Sequence, residues 1–88
     1  MAKHIHIKIS GQVQGVGFRF SIYEKFVELN LLGKAENTPD GGVLIDTEGP
    51  EESLAALVEW CHKGPQGARV EGVGVTEVAG PFVPLKMG

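Results

Sequence analysis

The spacing of apolar side chains changes from a period of two to a helical period within the first 31 residues. Isoleucines alternate with polar residues over residues 3–10, which predicts a half-buried β-strand. Over about residues 18–31 apolar side chains recur every third or fourth position, which predicts a helix that ends at Gly33. A glycine-rich stretch, residues 11–17, joins the two. A strand that leads directly into a helix restricts the chain to a small number of mixed α and β folds.

The remaining sequence predicts a hairpin and a second helix. Residues 34–38 and 43–47 form the hairpin, across the Pro-Asp-Gly-Gly turn between them. The second helix opens at residues 49–52, with Pro50 in its first helical position and two glutamates in its first turn. It ends at the Gly-Pro pair of residues 64–65.

A last strand completes the predicted fold. Residues 68–78 predict a strand with a β-bulge beside Gly72, where the apolar phase shifts by one residue. In the tail, Phe82 and Leu85 are compatible with a short edge strand, since the neighbouring prolines favour an edge. The order βαββαβ is the split βαβ arrangement. We therefore expect an α+β, ferredoxin-like sandwich with two helices on one face of an antiparallel sheet.

Length and cysteine content indicate one small intracellular domain. The chain has 88 residues, and we expect residues 1–88 to form a single domain. Cys61 is the single cysteine, so no internal disulfide forms, which fits a reducing compartment. The N-terminus does not resemble a signal peptide, and no apolar run reaches the roughly 20 residues that cross a bilayer. We expect a cytoplasmic protein, monomeric by default, with no membrane partner.

The charge distribution argues against nucleic acid as the main partner. The net charge is −3, and the chain has two arginines, Arg19 and Arg69. Nucleic-acid-binding domains usually carry a basic face, whereas the six lysines of this chain are dispersed along it.

The glycine-rich stretch and the residue that follows it suggest an anion site. Glycines leave backbone N–H groups bare, and the helix that follows adds its own free N–H groups and the positive end of its dipole. Arg19 lies in the first helical turn, where a cation is unfavourable unless an anion is bound. Arginine also offers bidentate hydrogen bonds to phosphate. The alternative is a tight strand-to-helix connection with Arg19 in solvent.

Two blocks of the sequence resemble the acylphosphatase family. Residues 11–19, GQVQGVGFR, closely resemble the first block of its signature, and residues 33–41, GKAENTPDG, resemble the second. The resemblance extends from about residue 4 to residue 78. It implies the hydrolysis of acyl phosphates to a carboxylate and inorganic phosphate, with no metal or cofactor.

The resemblance also implies roles for particular residues. The loop binds the phosphoryl group through backbone N–H groups of five residues, namely Gln14, Gly15, Val16, Gly17 and Phe18. Arg19 matches the arginine that binds the same phosphoryl oxygens, and Asn37 matches the asparagine that orients the attacking water. Inorganic phosphate, as the product, is expected to inhibit from the same site. Without the first block, Asn37 is also explained as a turn residue.

Two positions depart from the family pattern. Members usually carry a bulky aromatic residue after the glycine at position 33, and this chain has Lys34. We expect this change to alter packing or access beside the phosphate site. The tail, residues 80–88, lacks the usual closing strand that ends in arginine, so its pairing and its contact with the site are open.

Other chemically capable side chains have simpler explanations. His4 and His6 have the spacing of paired metal ligands on a strand, but no acidic or cysteine partner is near them in sequence, so a solvated polar face is favoured. Cys61 lies in the apolar stripe of the second helix and is expected in the core, and Trp60 is expected to pack against the domain. Asp40 is interpreted as a turn residue.

Two other function classes remain beside the enzyme. A non-enzymatic anion-binding or regulatory module on the same fold is open, because fold alone does not determine function. A nucleic-acid-binding βαββαβ domain would need exposed aromatics on its sheet and a basic surface, and neither the first nor the last main strand carries an aromatic residue.

Overall fold

The computed structural model describes residues 2–83, which contain four strands and two helices in the order βαββαβ. The elements are β1 (Ala2–Gln12), α1 (Phe18–Leu29), β2 (Leu32–Asn37), β3 (Val43–Pro50), α2 (Glu51–Lys63) and β4 (Arg69–Glu77). Every pair of neighbouring strands is antiparallel, and the strand order is β2-β3-β1-β4. The predicted ferredoxin-like fold is confirmed.

The alternating isoleucines of β1 form the centre of the core. Ile7 and Ile9 are fully buried and belong to one apolar cluster with residues from both helices. Phe26 from α1 and Leu57 from α2 are members of this cluster. Both helices therefore cover the isoleucine face of the sheet, and the opposite face, which carries His6, is called the open face below.

The predicted β-bulge is present where β1 meets β4. Ser10 pairs with Gly72 and the next residue, Gly11, pairs with Val70, so that Glu71 is an extra residue in β4. A side chain at Gly11 is excluded, because an added Cβ would lie 2.2 Å from a backbone oxygen of β4. The bulge bends β1 immediately before the glycine-rich loop.

The boundaries of two predicted helices are corrected. α1 ends at Leu29, and its cap is Asn30 in the left-handed conformation, with φ of 58°. Asparagine tolerates this conformation better than most residues, so the predicted stop at Gly33 was wrong. Pro50 is the N-cap of α2 and the last residue of β3, rather than the first helical residue.

Contacts between α1 and β2 place the end of β2 beside the start of α1. A Cβ added at Gly33 would lie 2.6 Å from the ring of Phe26, so the helix touches the strand backbone there. One turn earlier in the helix and two residues later in the strand, the Tyr23 hydroxyl accepts a hydrogen bond from the Ala35 N–H, at 3.0 Å. One more turn towards the start of α1 and two more residues along β2 reach Asn37. A helical turn rises about 5.4 Å and two strand residues about 6.6 Å, so the two elements advance nearly in step.

The segment after β4 folds onto the open face beside the first residues of β1. The Gly80 carbonyl lies 2.9 Å from His4 Nδ1, and the Phe82 ring packs edge-on against the His4 ring. The Phe82 N–H donates to Glu48 at 2.6 Å. His4 is 9% exposed as a result, so the prediction that it belongs to a solvated face was wrong.

The predicted edge strand in the tail is not formed by Phe82, since residues 81–83 are not in a strand. Leu85, the other residue of that prediction, lies outside the described residues. Within residues 2–83, neither helix is long and apolar enough to span a membrane.

The close approach at Gly33 gives a stability prediction. Gly33→Ala should lower the free energy of unfolding by about 1–3 kcal/mol, because the added methyl group overpacks against Phe26 and a strand carbonyl. Gly74→Ala is the matched control, since a Cβ at Gly74, also within a strand, meets nothing within 4 Å. Urea denaturation followed by circular dichroism measures both. Equal stability of the two variants would contradict the helix–strand contact.

Candidate active site

A cavity of about 320 Å³ lies where the glycine-rich loop, the first turn of α1 and the end of β2 meet. Its lining residues are Val13, Gln14, Gly15, Gly17, Phe18, Arg19, Phe20 and Asn37. The fold thus brings Arg19 and Asn37 to one site. The sequence blocks that carry them are separate, and the helix–strand packing described above joins them.

This cavity differs in charge from two larger concavities. A groove of about 500 Å³ between α2 and β4 is bordered by Glu51 and Glu59, and another of about 540 Å³ is bordered by Glu48 and Glu77; Lys3 lines both, so carboxylates outnumber cations in each. In the part of the chain that the structure describes, the lining of the loop cavity contains an arginine and no carboxylate. Carboxylates repel an anionic ligand, so the smaller cavity is the better anion site despite its size.

Two glycines give the loop its shape. Gly15 and Gly17 adopt left-handed conformations, with φ of 79° and 76°, and an added Cβ would meet nothing at either. The requirement for glycine therefore comes from the backbone conformation rather than from space, at a cost of about 1–2 kcal/mol for other residues. Gly17 is also the N-cap of α1, and no side chain caps the helix. The first N–H groups of α1 remain free for a ligand.

Gln14 and Val16 hold the loop from its two sides. The Gln14 side-chain amide donates to the carbonyl oxygens of Thr38 and Gly42, at 2.8 Å each, and so ties the loop to the turn between β2 and β3. The Val16 side chain packs on the core and lies near Gly67. Val16 is the one residue predicted for the site that is not part of the cavity lining.

Phe18 anchors the start of α1 to α2. Its side chain is 1% exposed and packs edge-on against Trp60, with 5.4 Å between ring centroids. A Cβ at Gly64 would lie 2.7 Å from the Phe18 ring, so the end of α2 closes against the same side chain. The predicted packing role of Trp60 is confirmed. Phe18 contributes its backbone to the cavity while its side chain is held in the core.

Arg19 brings an uncompensated positive charge to the cavity. Its residue is exposed, and the first turn of α1 contains no acidic residue. No ion pair involving Arg19 occurs within residues 2–83. The guanidinium and the helix dipole therefore add up at one point, which favours a multiply charged anion.

The turn that follows Asn37 is organised by Asp40. Its carboxylate accepts hydrogen bonds from Lys8 Nζ at 2.8 Å, from the Gly42 N–H at 3.1 Å and from the Thr38 hydroxyl. These bonds hold the pKa of the Asp40 carboxyl well below its ordinary value, with the Lys8 hydrogen bond as the largest cause. Asp40 was predicted as a turn residue. Its ion pair with Lys8, 32 positions away, had no signal in the local sequence.

Two other expectations are resolved by position. Lys34 pairs with Asp46 in the sheet register and lies on the open face. It is not part of the cavity lining, contrary to the expectation that it would alter packing or access there. Cys61 is fully buried in the core as predicted. Burial raises the pKa of its thiol to about 12, so the thiolate that a nucleophile requires is not formed near neutral pH.

Comparison with known proteins agrees with this geometry. The acylphosphatase family model matches residues 5–81. The chain is 47% identical over 77 residues to an acylphosphatase from Methylococcus capsulatus, covering 88% of this chain and 84% of that protein. The chain belongs to the acylphosphatase family.

Solved structures of family members have the same fold. An acylphosphatase from Coxiella burnetii superposes with a TM-score of 0.88 at 36% identity, over 94% of this chain and 87% of that chain. An acylphosphatase from Bacillus subtilis superposes with a TM-score of 0.86 at 36% identity, over 92% and 89% of the two chains. Both sequence blocks through which the chain resembles the family contribute to the cavity lining, the second block through Asn37.

The carboxylate of Asp40 gives a prediction for stability against pH. Since its pKa in the folded chain is below the ordinary 3.8, Asp40 stabilises the folded chain above about pH 4 and loses this effect as the pH falls further. Asp40→Ala should therefore be less stable than wild type at pH 7, by a margin that shrinks below pH 4. Asp40→Asn keeps an acceptor oxygen but not the charge, and it should also remove the pH dependence. Urea denaturation at several pH values measures this, and a constant margin would contradict it.

Proposed function

We propose that this chain is an acylphosphatase that hydrolyses the carboxyl–phosphate bond of small acyl phosphates at the loop cavity. The observation that carries the proposal is the meeting of Arg19, the uncapped N-terminus of α1 and Asn37 in one cavity that lacks carboxylates. The family to which the chain belongs has the same activity in its name and supports the same reaction.

The phosphoryl group binds to backbone and guanidinium donors. N–H groups of the loop residues 14–18 surround its oxygens, and Arg19 binds two of them in a bidentate manner. In the transition state of phosphoryl transfer, negative charge is spread over the three equatorial oxygens. Donors that are already aligned stabilise that charge without rearranging, which makes positioning and electrostatics the main source of rate enhancement.

Asn37 orients the water that attacks phosphorus. Its side-chain carbonyl accepts a hydrogen bond from the water and directs an oxygen lone pair towards phosphorus. The bond between phosphorus and the attacking oxygen forms while the bond to the acyl oxygen breaks, and the acyl group leaves with the electron pair as a carboxylate. The amide is not a base, so the proton of the water passes to a phosphoryl oxygen. The products are one carboxylate and one inorganic phosphate.

The leaving group explains why no acid is needed. A carboxylate is a weak base, so it departs without receiving a proton. Among residues 2–83, the cavity lining accordingly contains no carboxyl or histidine side chain to act as general acid. Positive charge that a metal supplies in other phosphoryl-transfer enzymes comes here from Arg19 and the backbone dipoles, so we expect activity without added metal.

A single chain carries every group of the proposed mechanism. We therefore propose that residues 1–88 act as one acylphosphatase-like domain and that a monomer is sufficient, with no nucleic acid or membrane partner. A single, buried cysteine is consistent with a cytoplasmic location.

Hydrolysis in the presence of a chelator tests the activity. Purified wild-type protein should release inorganic phosphate from benzoyl phosphate and acetyl phosphate at a rate that excess EDTA does not change. A phosphate-release assay with a no-enzyme background measures it. Phosphate binding without hydrolysis would leave only the anion-binding module, and the enzyme proposal would be rejected.

The two side chains should have separable effects. Arg19→Ala removes donors from both ground and transition states, so the inhibition constant of inorganic phosphate should rise and kcat/KM should fall by about 10³-fold. Asn37→Ala should lower kcat by about 10²-fold, with the inhibition constant of phosphate nearly unchanged, because it contacts the water. Steady-state kinetics with phosphate as inhibitor measures both.

The second arginine of the chain provides the control. Arg69 lies on β4 and is not part of the cavity lining, so Arg69→Ala should keep wild-type kinetics. If Arg19→Ala and Asn37→Ala weakened phosphate binding equally, the assignment of different roles would be wrong.

A further inference from the structure

Two histidines and one carboxylate converge on the open face, at the end of β1 remote from the loop cavity. His4 and His6 are two residues apart on β1 and so share a face, and Asp46 is the partner of His6 on β3. One ligand atom from each of the three lies within 4.8 Å of the others. Asp46 Oδ1 is hydrogen-bonded to His4 Nε2 and lies 3.5 Å from His6 Nε2. The acidic partner that was missing from the neighbouring sequence is thus supplied by the adjacent strand.

We propose that His4, His6 and Asp46 form a binding site for one divalent transition-metal ion of the zinc class, separate from the active site. Two imidazole nitrogens and one carboxylate oxygen form a donor set that zinc prefers. Ligand atoms about 2.0–2.2 Å from a tetrahedral ion are themselves about 3.3–3.6 Å apart. The separation of 3.5 Å between His6 Nε2 and Asp46 Oδ1 is close to this value. The hydrogen-bonded contact between His4 Nε2 and Asp46 Oδ1 is shorter, so it has to lengthen when an ion replaces the proton between them.

His4 is held in the orientation that a metal ligand requires. Its Nδ1 lies 2.9 Å from the Gly80 carbonyl oxygen, which only accepts hydrogen bonds, so Nδ1 carries a proton. Its Nε2 faces the other two ligands and donates to Asp46 Oδ1, so a bound ion would take the place of this proton, which is released to solvent. A hydrogen bond from the remote ring nitrogen to a backbone carbonyl is the usual support of a metal-bound histidine. The edge of the Phe82 ring further restricts the orientation of His4.

The cluster is open to solvent on one side. The His6 side chain is 40% exposed and the Asp46 side chain 20%, so an ion can enter and a water can fill the fourth position. Glu48 adds a second carboxylate to the same face, although its side chain also accepts from Phe82. Lys34 lies opposite Asp46 in the register and contributes an opposing charge. The two carboxylates together carry more charge than Lys34, so the local charge favours a dication.

A proton is the competitor for the same position. Burial lowers the pKa of His4, but hydrogen bonds to Asp46 and Gly80 outweigh this effect and raise the pKa above 6.5. A doubly protonated His4 satisfies both acceptors and has no lone pair for a metal. Metal binding is therefore best measured at about pH 8, where the free imidazole is more populated.

The proposed ion would fasten the tail segment to the sheet. By fixing His4, it would also fix the contacts of Gly80 and Phe82 with the open face. Since the ion binds only the folded chain, it should raise the thermal midpoint as its concentration rises. His6 and Val13 are seven residues apart on an extended chain, about 23 Å, so the ion does not take part in hydrolysis.

Metal titration of the full chain without an affinity tag tests the proposal. Chelator-stripped protein at pH 8 should bind one zinc ion per chain by calorimetry and give the visible absorption of tetrahedral cobalt with Co²⁺. His6→Gln should weaken binding at least about tenfold, as loss of a direct ligand requires. His6 is partly exposed, so this variant is expected to fold, which circular dichroism checks. Asp46→Asn should weaken binding in the same direction.

His62→Gln is the matched control, because His62 is exposed at the end of α2, away from the cluster. It should bind zinc like the wild type. Wild-type protein with no saturable binding up to about 1 mM zinc, or a His6→Gln variant that binds as tightly as wild type, would overturn the proposal. So would equal losses in His6→Gln and His62→Gln. Phosphate release by His6→Gln should match wild type, which separates this site from the proposed activity.

Discussion

The packing of α1 on β2 is the contact on which the site depends. α1 lies so close to β2 at Gly33 that a methyl group there would overlap Phe26, and Tyr23 bonds to the strand backbone two residues later. Helix and strand then advance together, which places Asn37 beside the first turn of α1. Neither Arg19 nor Asn37 has a direct bond that draws the two together within residues 2–83. They meet because the side chains of Tyr23 and Phe26, one and two helical turns further along α1, pack against the backbone of β2.

The site itself breaks several rules that otherwise favour stability. α1 begins without a side-chain cap, carries a cation at its positive end, and follows two residues in left-handed conformations. The missing side-chain cap and the cation at the positive end each cost up to about 1 kcal/mol, whereas the left-handed positions are occupied by glycines, which adopt that conformation without this cost. The surrounding structure compensates locally: Phe18 is locked against Trp60, and Gln14 is bonded twice to the turn after β2. An anion that accepts hydrogen bonds from the free N–H groups and pairs with Arg19 removes the remaining cost, so the uncapped helix start and its cation are a form of preorganisation.

The sequence predicted what depends on neighbours along the chain. The period of two in β1, the helical stripes and the Pro-Asp-Gly-Gly turn all reflect local geometry, and the structure confirms them. The family resemblance, rather than spacing, linked Arg19 with Asn37. The errors concern contacts between distant segments and the exact residue at which a helix begins or ends. His4 appeared solvated because nothing near it indicated that residues 80–82 would cover it, and Asn30 ended α1 before the glycine that seemed the natural stop.

The two ends of β1 carry different chemistry on one rigid strand. β1 is paired with β3 and β4 along most of its length, and eight consecutive residue pairs join it to β3. Coupling between distant sites requires an element with two arrangements, and a central strand bonded on both edges has only one register. Asp46 is a residue of β3, and the turn after Asn37 leads directly into β3. This strand is therefore the shortest connection between the histidine cluster and the cavity. Its register is fixed by buried Val43 and Ile45, which cannot slip by one residue without facing solvent. An ion on the histidine cluster should therefore stabilise the whole folded chain while the affinity of the cavity for phosphate stays the same.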